Sequence, residues 1–70
     1  MYRIIIKDKY ENTIESYFHK SMYFATMKYS KMLEKYAFKS IAEGNSYSLV
    51  FSFYKNNSVI LISKTKLNSK

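Results

Sequence analysis

The chain has one glycine, Gly44, and no proline among its 70 residues. Residues that force a helix or a strand to end are therefore scarce. Gly44 follows an amphipathic segment, at the place where a residue in the left-handed conformation is expected after a helix. Ser21 lies before that segment and can accept a hydrogen bond from a free backbone amide of the first turn. The two residues predict one long helix from Met22 to about Glu43.

Two segments before the helix have the composition of strands. Residues 2–8, YRIIIKD, are rich in β-branched side chains and predict the first strand, and residues 9–12, KYEN, predict a turn. Residues 13–20, TIESYFHK, alternate like a strand paired back on the first, although they could instead be the opening turns of the helix. We favour the strand because Tyr and Phe prefer pleated surfaces.

The segments after Gly44, SYSLVFSFY and SVILISKTK, predict a β-hairpin that turns at Asn56 and Asn57. Both asparagines can adopt a positive φ, which favours a two-residue turn. This turn sets a register with two Phe–Ile pairs on one apolar face: Phe53 with Ile60, and Phe51 with Ile62. The opposite face then carries Val50, Ser52, Tyr54, Val59, Leu61 and Ser63.

These elements predict a single α+β domain, residues 1–70, with one long helix packed on an antiparallel sheet of three or four strands. The order is ββαββ if residues 13–20 form a strand, and βαββ if they do not. The chain has no cysteine, so neither a disulfide nor a thiolate metal site supplements the core. Hydrophobic residues make up 47% of the chain and supply the material for packing.

At about 100° per residue, the helix separates an apolar arc from a stripe of lysines. The predicted core side contains Met22, Ala25, Tyr29, Met32, Leu33, Tyr36, Ala37 and Ile41. The opposite side carries the lysine stripe: Lys28, Lys31, Lys35 and Lys39. Such a stripe alone is typical of a solvated face, but Phe24, Phe38 and Met27 lie in or beside it. A mixed apolar and cationic patch is typical of a binding surface, so we predict partner binding through Phe24, Lys28, Lys31, Lys35, Phe38 and Lys39.

The sheet offers a second candidate surface, because one helix can cover only one of its faces. The uncovered face would expose Val50, Tyr54, Val59 and Leu61. A small monomer rarely leaves so much apolar area open, which favours a homodimer or a protein partner on this face. The alternative is that the serines and Lys7 make that face polar enough to remain exposed to solvent without a partner.

No set of residues indicates catalysis. The five acidic residues include no pair set apart for acid–base work, and the one histidine, His19, cannot build a metal site without cysteines or a carboxylate cluster. One glycine does not make a phosphate-binding loop. A group of Ser21, His19 and Asp8 could be drawn, but no nucleophile elbow supports it. We expect no enzyme, no cofactor and no metal.

The formal charge of +7 favours an anionic partner, such as nucleic acid or an acidic protein surface. Lysines beside aromatic residues suit single-stranded nucleic acid. Arg3 is the single arginine, which argues against sequence-specific readout. We expect no membrane partner, because the apolar side of the helix is needed by the sheet. No signal peptide or membrane-spanning segment is evident, so we expect a cytoplasmic protein.

The whole chain resembles the small early proteins of phages that infect low-GC Gram-positive bacteria. The resemblance lies in short length, in the absence of Cys, Pro and Trp, and in a composition rich in Lys, Tyr, Ile and Asn. It implies a protein that binds and disables a host factor, with the replicative sliding clamp as one example. Residues 47–51, YSLVF, have the apolar end of a clamp-binding peptide but lack its glutamine, so the motif is not carried over.

We therefore expect a non-enzymatic, homodimeric binding module that occludes a functional surface of a larger host protein. The lysine stripe would steer the encounter, and Phe24 and Phe38 would anchor it. The alternative is a non-specific nucleic-acid-binding protein that uses the same stripe. A third reading is a structural dimer module in which the stripe has no function.

Overall fold

The structure is a computed structural model that describes residues 1–68. Its elements are β1 (Tyr2–Lys7), β2 (Thr13–His19), α1 (Met22–Glu43), β3 (Tyr47–Lys55) and β4 (Ser58–Leu67). The strands form one antiparallel sheet in the order β2-β1-β3-β4, and α1 packs on one face of it. The predicted α+β fold is therefore confirmed in its ββαββ form.

The ends of α1 are fixed by the two residues that the sequence indicates. The Ser21 side chain accepts a hydrogen bond from the backbone N–H of Phe24, and Gly44 adopts the left-handed conformation with φ 68°. The Gly44 N–H donates to the Ser40 carbonyl at 2.9 Å, which satisfies one of the carbonyls left free at the helix end. Residues 13–19 form a strand, as we favoured.

The core lies between α1 and the two central strands. It consists of alternate side chains of β1 and β3 packed against one side of the helix: Ile4, Ile6, Tyr47, Leu49, Phe51, Ala25, Tyr29, Met32 and Tyr36. Aromatic pairs join the two layers, with 5.1 Å between the ring centroids of Tyr29 and Phe51 and 4.8 Å between those of Tyr36 and Tyr47. Such tilted pairs add to the free energy gained from burial alone.

The predicted apolar arc of α1 is partly wrong. Met22 and Ile41 are 53% and 72% exposed, because Met22 is the first residue of the helix and Ile41 lies at the margin of the arc. Ser40 takes a buried position instead. Its hydroxyl donates to the Ala37 carbonyl at 2.9 Å, so that the buried polar group is satisfied within the helix.

The hairpin register follows the prediction near the turn and departs from it farther along. Phe53 pairs with Ile60, as predicted, but Phe51 pairs with Ser63 and not with Ile62. A β-bulge at this point leaves Ile62 as the extra residue of β4. At the turn, Asn56 has a positive φ of 54° and Asn57 does not, as in turns that need a positive φ at the first central residue only.

The bulge has a physical reason in the buried Tyr29 side chain. The shifted register brings Ser63 and Thr65 onto the helix side of the sheet, whereas the predicted register placed Ser63 on the opposite face. The Tyr29 hydroxyl lies 3.0 Å from the Thr65 hydroxyl and 3.3 Å from the Ser63 hydroxyl. A buried phenol needs hydrogen-bond partners, and the bulge supplies them.

The first half of β4 is not part of the core, which corrects a second part of the hairpin prediction. Ile60 and Ile62 were expected on a core face, yet they are 54% and 40% exposed. β4 is an outer strand of the sheet, and the buried core of α1 rests on β1 and β3. The helix therefore leaves the β4 end beside the turn uncovered.

Replacing Gly44 with Ala should destabilise the protein by about 1 kcal/mol, because a Cβ atom makes the left-handed conformation costly. Apart from its chain neighbours, no heavy atom of residues 1–68 lies within 4 Å of the added Cβ, so the cost comes from the backbone and not from a clash. Urea unfolding measures the difference, and Gly44→Asn should recover part of it because Asn tolerates this conformation better. Equal stability of the wild type and Gly44→Ala would contradict this account of the helix end.

Candidate interaction surfaces

The structure places the predicted partner-binding residues of α1 in two different environments. Phe24 and Phe38 are 60% and 78% exposed, and Lys31 and Lys35 are exposed beside them. Lys28 and Lys39 are half-buried. The lysine stripe is therefore not one uniform solvent-facing row.

Three lysines of the stripe interact with groups of their own chain. The Lys28 ammonium lies 4.2 Å from the centroid of the Tyr17 ring, which is a cation–π distance. The Lys35 ammonium lies 3.3 Å from a Glu15 carboxylate oxygen, and that of Lys39 lies 3.9 Å from Glu43. These contacts direct much of the stripe's charge toward the sheet and the end of the helix.

Glu15 joins β2 to the helix. Its carboxylate accepts hydrogen bonds from the hydroxyls of Tyr17 and Tyr36 and from the Lys35 ammonium. The hydrogen bond from Tyr17, followed by those from Tyr36 and Lys35, holds the pKa of Glu15 below its ordinary value. Burial and the Glu15 carboxylate raise the pKa of Tyr36. Glu15 and Tyr17 belong to β2, whereas Lys35 and Tyr36 belong to α1, so these contacts attach the helix to β2.

The solvent side of α1 is more apolar than the lysine stripe suggests. We call it the outer helix face, and its large exposed side chains are Tyr23, Phe24, Met27, Phe38 and Ile41. Measured round the helix, this face is centred opposite the buried residues Tyr29 and Tyr36. The stripe lies along one side of it, toward β2, because its lysines contact Glu15 and Tyr17.

The other surface is the open face of the sheet, opposite α1. Its register places Val50, Tyr54, Val59 and Leu61 on one side of β3 and β4, as predicted. Val59 and Leu61 are 59% and 58% exposed, whereas Val50 and Tyr54 are half-buried. The more exposed half of this patch is therefore on β4.

Arg3 is a functional candidate that the sequence reasoning missed. Its guanidinium lies 5.4 Å from the Phe18 ring centroid and 5.5 Å from that of Tyr54, and it donates to the Tyr54 hydroxyl. The buried Arg3 Nε has no hydrogen-bond partner among residues 1–68. Strand alternation could have revealed this position, because Arg3 precedes the core residue Ile4 and so points to the open face.

Beside the turn, β4 presents an aliphatic run that we call the hairpin edge, Val59–Ile62. All four side chains are at least 40% exposed: Val59 and Leu61 lie on the open face, Ile60 lies on the helix side, and Ile62 is at the bulge. Among residues 1–68 no strand pairs with the outer side of β4, so its backbone groups there are free to bond. Farther along β4, Lys64 and Lys66 add positive charge to the open face.

A hollow of about 410 Å³ lies where the β1–β2 turn meets the end of α1. Several polar groups around it serve the fold. The Asp8 carboxylate accepts hydrogen bonds from the backbone N–H groups of Asn12 and Tyr10, and these bonds lower the pKa of Asp8. The Tyr47 hydroxyl donates a hydrogen bond to the Glu43 carboxylate.

Residues 1–68 contain no cluster of three potential metal ligands. In the same part of the chain, α1 lacks the apolar length that crossing a bilayer requires.

No protein-family model matches the chain, and neither a curated protein nor a solved structure shows significant similarity to it. The proposed contact surfaces therefore rest on the geometry of the chain alone.

Glu15→Gln should lower the free energy of unfolding at pH 7 by about 1 kcal/mol, because it removes the charge from three hydrogen bonds. The folded pKa of Glu15 is depressed, so its stabilisation is present above the ordinary value of 4.5 and is lost as the pH falls through the folded pKa. Urea unfolding of both proteins at a series of pH values measures the difference, which should shrink in acid.

Glu11→Gln is the matched control, since the Glu11 side chain is 74% exposed and weakly paired. It should change stability by less than about 0.5 kcal/mol at every pH. A Glu15→Gln difference that stays constant in acid would show that the carboxylate charge does not hold β2 to the helix.

Proposed function

We propose that this protein is a non-enzymatic binding module that occludes a surface of a larger protein, with the hairpin edge as its contact. The observation that carries the proposal is the exposure of four consecutive aliphatic side chains, Val59–Ile62, at 59%, 54%, 58% and 40%. These side chains lie along the edge of β4 on both faces of the sheet, and an exposed apolar edge of this kind is typical of a protein-interaction site.

The backbone of β4 supports the same function. β4 is an outer strand of ten residues, with its outer hydrogen-bonding side unpaired among residues 1–68. Natural proteins usually protect such an edge, because it can pair with another chain. An added strand would gain main-chain hydrogen bonds from β4 and side-chain contacts from Val59 and Leu61.

The charge of the protein indicates the kind of partner surface. Lys64 and Lys66 lie on β4 beyond the bulge, and the chain carries a net charge of +7. A partner with an apolar groove or strand bordered by acidic residues matches this arrangement. The positive charge would speed the encounter, and the aliphatic side chains would supply most of the affinity.

A protein target is favoured over nucleic acid because the hairpin edge is aliphatic. Binding to single strands relies on aromatic rings with free faces. The exposed rings of Phe24 and Phe38 lie on the outer helix face and not at the hairpin edge. On the open face, Phe18 and Tyr54 lie on either side of the Arg3 guanidinium and are engaged with it. On α1, three lysines of the stripe are engaged with Tyr17, Glu15 and Glu43.

The resemblance to early phage proteins adds a proposal about the target. It points to a bacterial host factor, with a DNA replication protein such as the sliding clamp as the first to examine. The proposal that the protein is not an enzyme is supported by its acidic groups. Asp8, Glu15 and Glu43 each hold a turn, a strand or a helix end through hydrogen bonds.

The test is affinity capture from a lysate of a low-GC Gram-positive bacterium, followed by titration of the purified partner by calorimetry. The double variant Val59→Ser, Leu61→Ser should weaken binding by about tenfold or more, because it removes two exposed anchors. The matched control is Ile14→Ser, which changes a 42% exposed aliphatic residue on the opposite edge strand and should bind like the wild type.

The same proteins should be titrated with labelled random-sequence duplex and single-stranded DNA at about 50 and 200 mM salt. Micromolar binding that falls steeply with salt would replace the protein target with nucleic acid. A captured partner that binds the double variant as tightly as the wild type would show that the hairpin edge is not the contact. Circular dichroism and urea unfolding verify that each variant folds.

A further inference from the structure

The outer helix face carries a line of residues that could pair with the same line of a second, antiparallel helix. Six residues at alternating spacings of three and four form one line along α1, which we call the seam: Phe24, Met27, Lys31, Glu34, Phe38 and Ile41. This is the spacing of the first and fourth positions of a heptad, the pattern of helices that pair side by side. All six side chains are exposed, so nothing among residues 1–68 covers them.

We propose that two copies of this chain associate through the seam, with the two α1 helices antiparallel. A two-fold axis between Lys31 and Glu34 places Phe24 against Ile41 of the second copy and Met27 against Phe38. The central pair is then Lys31 against Glu34 of the second copy. Each contact occurs twice by symmetry, as an isologous interface requires.

Charge complementarity favours a second copy of this chain as the partner at the seam, and it favours the antiparallel direction of the two helices. In the antiparallel arrangement, each Lys31 meets a Glu34, and the two apolar ends of the seam meet each other. In a parallel arrangement with the same register, Lys31 would face Lys31 and Glu34 would face Glu34, and both pairs would repel. An unrelated partner would have to carry this reversed pattern by chance, whereas a second copy carries it by construction.

The shape of the surface agrees with this pairing. A hollow of about 210 Å³ is lined by Phe38, Ile41 and Ala42, near the helix end. A second hollow, of about 230 Å³, includes Phe24 and Met27 in its lining at the other end. The two-fold axis places each hollow opposite the large side chains that line the other one. Each end can therefore receive side chains of the second copy, as in knobs-into-holes packing.

The residues that border the seam permit a close approach. On one side the central neighbours, Ser30 and Ala37, are small, and the larger Tyr23 lies near the start of the helix. On the other side Lys28 of each copy approaches Lys35 of the second copy, which is a like-charge contact. The cost of this contact is reduced because Lys35 is paired with Glu15 and Lys28 lies over the Tyr17 ring. The 22 residues of α1 span about 33 Å, long enough for the three pairs on each side of the axis.

This association differs from the dimer expected from the sequence, which used Val50, Tyr54, Val59 and Leu61 of the open face. It leaves that face and the hairpin edge free, so that each copy of a dimer could bind a partner protein. The inference does not depend on the proposed function, since the seam and the hairpin edge share no residue.

The test is sedimentation velocity of the full chain from about 5 to 500 µM, which shows a concentration-dependent monomer–dimer equilibrium if the inference is correct. Lys31→Glu places like charges at both central pairs and should raise the dissociation constant about tenfold. The double variant Lys31→Glu, Glu34→Lys restores opposite charges and should return to within about threefold of the wild type. Lys9→Glu, in the exposed β1–β2 turn, is the control for the change in net charge.

Phe38→Ser tests the apolar part of the seam and should weaken the dimer by about tenfold or more without affecting the fold, because Phe38 is 78% exposed. A chain that stays monomeric at the highest concentration overturns the inference. So does a dimer that survives Lys31→Glu and Phe38→Ser, or a charge swap that does not restore association. Loss of the dimer in the double variant Val59→Ser, Leu61→Ser alone would assign the interface to the sheet.

Discussion

One helix can bury only one side of itself and one face of a four-stranded sheet, and this limit decides which side chains of the protein are enclosed. The apolar side of the helix packs on the central strands, where the side chains of Ile4, Ile6 and Leu49 are fully buried. It leaves the opposite face of the sheet, the first half of β4 and its own outer side without cover. A chain of this size encloses only part of its apolar side chains, and the exposed ones are candidates for contact with other proteins.

Polar contacts decide how the single helix sits on the sheet. At one position the Tyr29 hydroxyl reaches Thr65 and Ser63 on β4, and this contact requires the β-bulge. At another the Tyr36 hydroxyl and the Lys35 ammonium reach Glu15 on β2. The helix is thus attached to both outer strands through hydrogen bonds, while its apolar side chains pack on the two inner strands. These directed bonds fix the rotation of α1, and with it the set of residues that faces solvent.

The sequence predicted the elements of the fold well because their ends have local causes. A cap at Ser21, a left-handed residue at Gly44 and a two-residue turn at Asn56 are each set by a few neighbouring residues. The bulge could not be predicted in this way. It depends on a contact between Tyr29 and β4 that joins residues 34 and 36 positions apart. The exposure of Ile60 and Ile62 likewise depends on which strands the helix covers.

The candidate surfaces were predicted in outline and not in detail. Helical periodicity placed Phe24 and Phe38 on the solvent side correctly, because exposure on that side needs no knowledge of the partner strands. It could not show that Lys28, Lys35 and Lys39 are held by Tyr17, Glu15 and Glu43, since two of these groups belong to another element. The role of Arg3 also depends on a neighbouring strand on each side.

We propose separate uses for two of the uncovered surfaces: the seam of α1 serves self-association, and the hairpin edge serves a partner protein. The most direct test is a concentration series of amide NMR spectra from about 20 µM to 1 mM. We predict that resonances around Lys31 and Phe38 shift with concentration, while those of Val59–Ile62 stay constant. Shifts confined to Val59–Ile62, or no shift anywhere, would contradict the claim.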